Sequence, residues 1–137
     1  MTDSSDVVEL RIPCKAEWVA VARLAVAAIA SRMRFTIEEV EDVKLAVAEA
    51  CTNVIQHAVG ADQIEIRCES DPEELRVRVR DNGRGMRPEQ ISSNPPPDDP
   101  QIGGLGVFLI RSLMDQVEYT VQPESGTDLL MVKRFQL

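Results

Sequence analysis

The stretch AVAEACTNVIQHA, Ala46 to Ala58, decides the fold because it combines an amphipathic helix pattern with two polar residues on the flank of its apolar stripe. At about 100° per residue, one side of this helix gathers Val40, Val43, Val47, Cys51 and Val54. Glu49 and Asn53 lie one turn apart beside that stripe, about 40° from each other. An isolated pair at this spacing is typical of a solvated helix face, so the pair alone does not indicate a site.

The start of this helix is well marked in the sequence. Thr36 and Glu39 have the spacing of a capping box, and Phe35 and Val40 have that of a hydrophobic staple. The pattern predicts a helix from Thr36 to about Ala58, with Gly60 as the stop signal.

The remaining segments predict the order strand, two helices, two strands, loop, helix, two strands. The predicted ranges are a strand at Val7–Ile12 with Val8, Leu10 and Ile12 on one face, a helix at Ala16–Met33, strands around Ile64–Cys68 and Leu75–Val79, a helix after Gly103, and strands at Gln116–Gln122 and Leu129–Phe135. This order predicts an α+β fold, a two-layer α/β sandwich with a mixed, mainly antiparallel sheet and three helices on one face.

Size and charge narrow the possibilities. The 137 residues correspond to a single domain, 1–137, that can bury a core without disulfides or metal. A formal charge of −8 argues against direct nucleic-acid binding, which depends on clustered Lys and Arg. Three cysteines without a C-x-x-C spacing indicate neither a zinc site nor a disulfide framework. The apolar run Trp18–Ala30 is too short to span a bilayer and contains Arg23, so we expect a cytoplasmic protein without a membrane segment.

A second candidate site is DNGRGM, Asp81 to Met86, directly after a predicted strand. Asn-Gly usually predicts a hairpin turn, but the residues that follow do not alternate like a returning strand. An aspartate at a strand end can accept hydrogen bonds from an amino group, and the two glycines allow the backbone to approach a ligand. An EF-hand loop is excluded because its later acidic positions are missing.

A third candidate is GGLGVF, Gly103 to Phe108, which opens a predicted helix. Backbone amides at a helix start form an anion site. The segment is neither a complete dinucleotide fingerprint nor a Walker A loop, and a flexible hinge is the alternative. Before it, residues 86–103 contain SSNPPPDDP, which has no periodicity and is long enough to be a lid.

The order of these motifs resembles the nucleotide-binding fold of the GHKL superfamily, which includes gyrase-type and mismatch-repair ATPases and histidine kinases. EACTNVIQHA, GGLGVFLIRSLMD and the compact length further resemble the anti-sigma-factor serine kinases of bacterial partner-switching systems. The resemblance covers nearly the whole chain. It implies a Bergerat-type fold that binds ATP and Mg²⁺.

The resemblance also implies a role for each matching residue. Glu49 is the expected general base, Asn53 the protein ligand of Mg²⁺, and Asp81 the acceptor for the adenine amino group. The remaining expected contacts are Gly83 and Gly85 in the adenine pocket, Gly104, Leu105 and Gly106 around the phosphates, and Thr127 in support of the adenine contact. Arg87 in the lid and His57 receive no firm role.

The function implied is that of an anti-sigma factor with protein serine kinase activity. Such a protein sequesters a sigma factor, phosphorylates a serine of an anti-anti-sigma (STAS-type) antagonist, regulates transcription in response to stress, and forms a homodimer. Two alternatives stay open: a non-catalytic nucleotide-dependent binding switch, and a detached histidine-kinase catalytic domain. The second alternative fits less well because no phosphoacceptor helix precedes the nucleotide motifs.

Overall fold

The computed structural model describes residues 5–84, 105–122 and 126–135. Within them the strands are β1 (Asp6–Pro13), β2 (Gln63–Ser70), β3 (Glu74–Asp81), β4 (Gln116–Gln122) and β5 (Gly126–Arg134), and the helices are α1 (Val19–Ser31), α2 (Ile37–His57) and α3 (Leu105–Leu113). None of the helices in these ranges is long and apolar enough to cross a membrane.

The five strands form one sheet in the order β1-β2-β3-β5-β4, and every neighbouring pair is antiparallel. The predicted α+β sandwich is therefore confirmed, with a fully antiparallel sheet among these strands. One face is apolar: Ile64, Ile66, Leu75, Val77, Val79 and Met131 are buried in one core with residues of all three helices. The helices therefore cover a single face, and the other face carries the charged residues.

Strands β2 and β3 illustrate how the alternating pattern produces this division. Their apolar residues are buried, whereas Arg67, Arg78 and Arg80 on the opposite face are exposed. The turn between the strands is closed by Asp71, whose Oδ1 accepts the backbone N–H groups of Glu73 and Glu74 at 2.8 and 2.9 Å. Such Asx turns set the register of a hairpin locally.

Helix α2 lies between α1 and α3 and carries the first candidate site. Its capping box is confirmed: Thr36 Oγ1 accepts the Glu39 N–H at 3.1 Å, and Glu39 Oε1 accepts the Thr36 N–H at 2.8 Å. At the other end, Ala58 is extended and Gly60 has a φ of +77°. These boundaries agree with the predicted ones to within a residue.

Two predictions need correction. The segment at Ala16–Trp18 is a 3-10 turn, and α1 begins only at Val19 and ends at Ser31. The predicted face of β1 is confirmed, since Val8, Leu10 and Ile12 lie opposite the buried residues Cys68, Ile66 and Ile64 of β2. Strand β5 begins at Gly126 rather than Leu129, because Gly126 and Thr127 pair with Gln122 and Val121 of β4. This earlier start brings Thr127 next to the end of β3.

The cysteines are free thiols, in agreement with the sequence. Cys51 and Cys68 lie in the core, and burial raises the pKa of Cys51 to about 12 and that of Cys68 to about 11. Both thiols are therefore protonated and unreactive at neutral pH.

Candidate active site

Asp81, the last residue of β3, is a buried carboxylate with one oxygen that lacks a hydrogen-bond partner among the described residues. Its Oδ1 accepts the Gly83 backbone N–H at 2.8 Å, and the Thr127 backbone N–H also donates to the carboxylate. Its Oδ2 is buried and has no hydrogen-bond partner among the described residues. Burial raises the pKa of Asp81 against the opposing effect of these two N–H groups. The free oxygen can accept a hydrogen bond from an amino group.

Two glycines allow the chain to close around this carboxylate. Gly126 has a φ of +111°, and a Cβ there would lie 2.0 Å from the backbone oxygen of Asp81. A Cβ on Gly83 would lie 2.8 Å from the backbone oxygen of Val59. Gly126 is therefore a structural requirement of the site, although a role was expected only for its neighbour Thr127.

The side chain of Asn82 stabilises the end of β3 next to Asp81. Its Oδ1 accepts the backbone N–H groups of Asp62 and Gln63 at 3.0 and 3.2 Å, which ties the end of β3 to the start of β2. Asn82 of the Asn-Gly pair therefore stabilises the close approach of β2 and β3 at this position.

Asn53 lies under the start of α3. It is buried, and a Cβ on Gly106 would lie 2.7 Å from its Oδ1 and 3.0 Å from its Nδ2. Gly106 is therefore needed where α3 crosses the Asn53 amide. The Nδ2 group is buried without a hydrogen-bond partner in the described part of the chain. An unsatisfied buried amide costs about 1–3 kcal/mol, which suits a residue that acts on a ligand.

Glu49 lies one turn before Asn53 and is only partly buried. Desolvation raises the pKa of its carboxyl group above the ordinary value. A partly buried carboxylate with a raised pKa is a stronger base than an exposed one and stays accessible to a substrate.

A narrow cleft lies beside Asp81, between α2 and the sheet. It is lined by Ala50, Val54, Val79, Asp81, Tyr119, Thr127 and Leu129. About 10 Å³ of it is open, roughly the space for one water molecule. Of its walls, Asp81 and Thr127 were predicted from sequence, whereas Tyr119 was not, because an aromatic residue in a strand is ordinarily a core residue.

Several predicted residues cannot be located. Gly85, Gly104, Arg87 and the lid at 86–103 lie outside the described residues, and for Leu105 only its place in α3 is described. His57 closes α2, and burial lowers the pKa of its imidazole.

A more open cavity of about 510 Å³ lies on the helix-free face of the sheet. It is lined by charged residues of β1, β2, β3 and β5, and none of the predicted site residues borders it. The candidate site is assigned to the narrow cleft because the partnerless carboxylate oxygen of Asp81 borders it, with Asn53 on the adjoining helix α2.

Comparison with known proteins identifies the family of the chain. The profile of the histidine kinase-like ATPase domain family matches residues 12–133. The serine-protein kinase RsbW of Bacillus subtilis (strain 168) is 37% identical over 143 residues, covering 97% of this chain and 88% of the relative. RsbW of Bacillus pumilus (strain SAFR-032) is 38% identical over 145 residues, with the same coverage of both chains.

Solved structures agree on the fold. The RsbU and RsbW domains of Rv1364c from Mycobacterium tuberculosis superpose with a TM-score of 0.68 at 12% identity, over 94% of this chain and 32% of that one. A histidine kinase domain from Erythrobacter litoralis EL346 gives 0.56 at 24% identity, over 97% of this chain and 64% of that one. Sequence and fold together show that the chain belongs to the histidine kinase-like ATPase domain family and, within it, to the RsbW group of serine-protein kinases.

Proposed function

We propose that this kinase transfers the γ-phosphoryl group of ATP to a serine of a protein substrate, with Glu49 as the general base. One observation carries the proposal. Glu49 is a partly buried carboxylate with a raised pKa, and Asn53, one turn away on α2, is a buried amide of the kind that can bind a metal ion. The serine oxygen bonds to the γ-phosphorus, the bond to the ADP oxygen breaks, and the serine proton passes to Glu49. A positioned base of this kind contributes on the order of 10²–10⁴-fold.

Asp81 and Asn53 divide the binding of Mg-ATP between them. Asp81 Oδ2 has the free acceptor position that an adenine amino group requires. Asn53 would supply one oxygen ligand to Mg²⁺, an ion that commonly takes one or two protein oxygens in nucleotide sites. The ion would neutralise charge on the phosphates. These donor and acceptor types therefore fit the nucleotide and the metal.

The size of the cleft adds a condition. About 10 Å³ is too little for a purine, so its apolar walls, Val54, Val79 and Leu129, have to move apart when adenine enters. Adenine binding therefore includes an opening of the space between α2 and the sheet, and the carboxylate of Asp81 stays fixed by its two backbone N–H donors.

The partners that we propose follow from the family. The chain acts as an anti-sigma factor in the cytoplasm, sequesters a sigma factor, and phosphorylates a serine of a STAS-type antagonist. It works as a homodimer of a single nucleotide-binding domain, with residues 86–103 as the ATP lid and with Gly85, Gly104 and Leu105 contributing to the nucleotide site. The 37% identity to a serine-protein kinase over nearly the whole chain supports this proposal.

The test uses Glu49→Gln, which keeps the shape of the side chain and removes its basicity. With labelled Mg-ATP and the purified STAS-type antagonist, we expect nucleotide affinity within about twofold of the wild type and a loss of serine labelling on the order of 10²–10⁴-fold.

Glu41→Gln is the matched control, since Glu41 lies on the exposed side of the same helix, and it should label the antagonist at the wild-type rate. Tight nucleotide binding by the wild type without any serine label would contradict the kinase proposal and favour a nucleotide-dependent binding switch. Equal loss of binding and transfer in Glu49→Gln would show that Glu49 is a binding residue.

A further inference from the structure

Among the described residues that line the cleft, Tyr119 is the one polar residue without a role in the proposed reaction. It belongs to β4, opposite Leu129 of β5, and both residues border the cleft. Its hydroxyl oxygen is buried and has no hydrogen-bond partner among the described residues. A buried hydroxyl without a partner costs stability that a phenylalanine would not, so its presence requires a reason.

The Asn53 side chain faces this hydroxyl. Burial raises the pKa of Tyr119 to about 12, and the Asn53 amide beside it partly opposes that rise. The two groups are close enough to interact but do not have hydrogen-bond geometry, and Asn53 Nδ2 is itself buried without a partner in the described ranges. A buried donor on Asn53 and a buried acceptor on Tyr119, both without partners, therefore lie near each other at the edge of the cleft.

Their chemistry is complementary once a metal is bound. A carboxamide presents an acceptor oxygen and a donor NH₂ group at nearly the same positions, so it can turn either end toward an ion. Mg²⁺ accepts only the oxygen end. The NH₂ group must then point the other way, where the Tyr119 oxygen has free lone pairs.

We propose that Tyr119 is a positioning residue for Asn53: its hydroxyl accepts a hydrogen bond from Asn53 Nδ2 in the nucleotide complex and directs Oδ1 toward Mg²⁺. This inference rests on the proposed role of Asn53 as the metal ligand. The bond forms through a small rotation of the amide as the cleft opens, and it satisfies both buried groups at once. Phenylalanine would fill the same space without selecting the oxygen end.

The test measures the affinity for a non-hydrolysable ATP analogue with and without Mg²⁺ by titration calorimetry. We expect Tyr119→Phe to reduce the gain in affinity on adding Mg²⁺ about three- to tenfold, the value of one hydrogen bond, while the affinity without Mg²⁺ stays within about twofold. We expect Leu129→Ala, which removes the apolar wall opposite Tyr119, to weaken binding by the same factor with and without Mg²⁺.

A double-mutant cycle separates positioning from general damage. Asn53→Ala should abolish the gain from Mg²⁺, and adding Tyr119→Phe to it should change nothing further. If Asn53→Ala keeps the full gain, Asn53 is not the metal ligand, and the proposed role of Asn53 falls together with this inference. If Asn53→Ala loses the gain while Tyr119→Phe keeps it, the inference about Tyr119 alone is wrong.

Discussion

Glu49 and Asn53 show how one helical turn places two different environments side by side. Asn53 is 7% exposed and lies against Gly106, whereas Glu49 stays open enough to meet a substrate. The helical spacing put both residues on the flank of α2, but it could not distinguish their burial. The difference comes from α3, which crosses the helix at Asn53.

The raised pKa of Glu49 predicts the pH dependence of the kinase. Burial disfavours the carboxylate, so its pKa lies above the ordinary value, and a general base works only when it is deprotonated. The rate should therefore fall as the pH drops through this raised pKa. At saturating ATP, we expect the acid limb of kcat to lie above the pKa of a free glutamate, about 4.3.

Asp81 also has a pKa raised by burial, so the measurement has to separate the two carboxyl groups. In the proposed complex the adenine amino group donates to Asp81 and favours its carboxylate form, so we expect its titration to affect kcat/KM through nucleotide binding rather than kcat. The residual rate of Glu49→Gln should lack the acid limb in kcat. If the acid limb of kcat keeps its position in Glu49→Gln, the titrating group is a residue other than Glu49.

At the level of elements, the junction of β3 and β5 is the part of the site most sensitive to side-chain volume. We expect Gly126→Ala to destabilise the fold by roughly 3 kcal/mol or more, because φ is +111° and the new Cβ would lie 2.0 Å from the Asp81 oxygen. Gly60→Ala is the matched control: its φ is +77°, nothing lies within 4 Å, and only about 1 kcal/mol of backbone strain is expected.

Urea denaturation of both variants measures this difference, and nucleotide binding adds a second readout. Gly126→Ala should also lose affinity for ATP, because the Thr127 N–H would leave the Asp81 carboxylate. Gly60→Ala should bind ATP as the wild type does. Equal destabilisation by the two substitutions would mean that β5 shifts away from β3 without cost.

The sequence predicted elements whose signals are local, and it failed where a boundary depends on a distant partner. The capping box at Thr36 and Glu39 and the alternation in β2 and β3 are local signals, and the structure has them as predicted. The start of β5 depends on pairing with β4 across the turn, and the place of Tyr119 in the cleft depends on α2. Neither has a signature within a window of a few residues.

For the whole molecule, the helix-free face of the sheet is the surface that we expect to join two copies in the proposed homodimer. Acidic and basic residues adjoin there: Arg80 lies opposite Glu65 on β2 and forms an ion pair with Asp128 at 3.7 Å. At the centre, Arg67 lies between Glu9 of β1 and Arg78 of β3, and Arg78 forms an ion pair with Asp128 at 3.4 Å. Within the described ranges, Arg67 forms no ion pair although Glu9 lies opposite it, so its guanidinium can also meet an acidic residue of a second copy.

We therefore expect Arg67→Glu to weaken the dimer, because the substitution turns an attraction across the two-fold axis into repulsion. Sedimentation velocity at several protein concentrations should show the wild type as a dimer and Arg67→Glu shifted toward the monomer, with a smaller shift at high salt because exposed charges are screened. Arg23→Glu, the same charge change on the exposed side of α1, should leave the dimer intact. If Arg67→Glu sediments like the wild-type dimer, the copies meet through another surface.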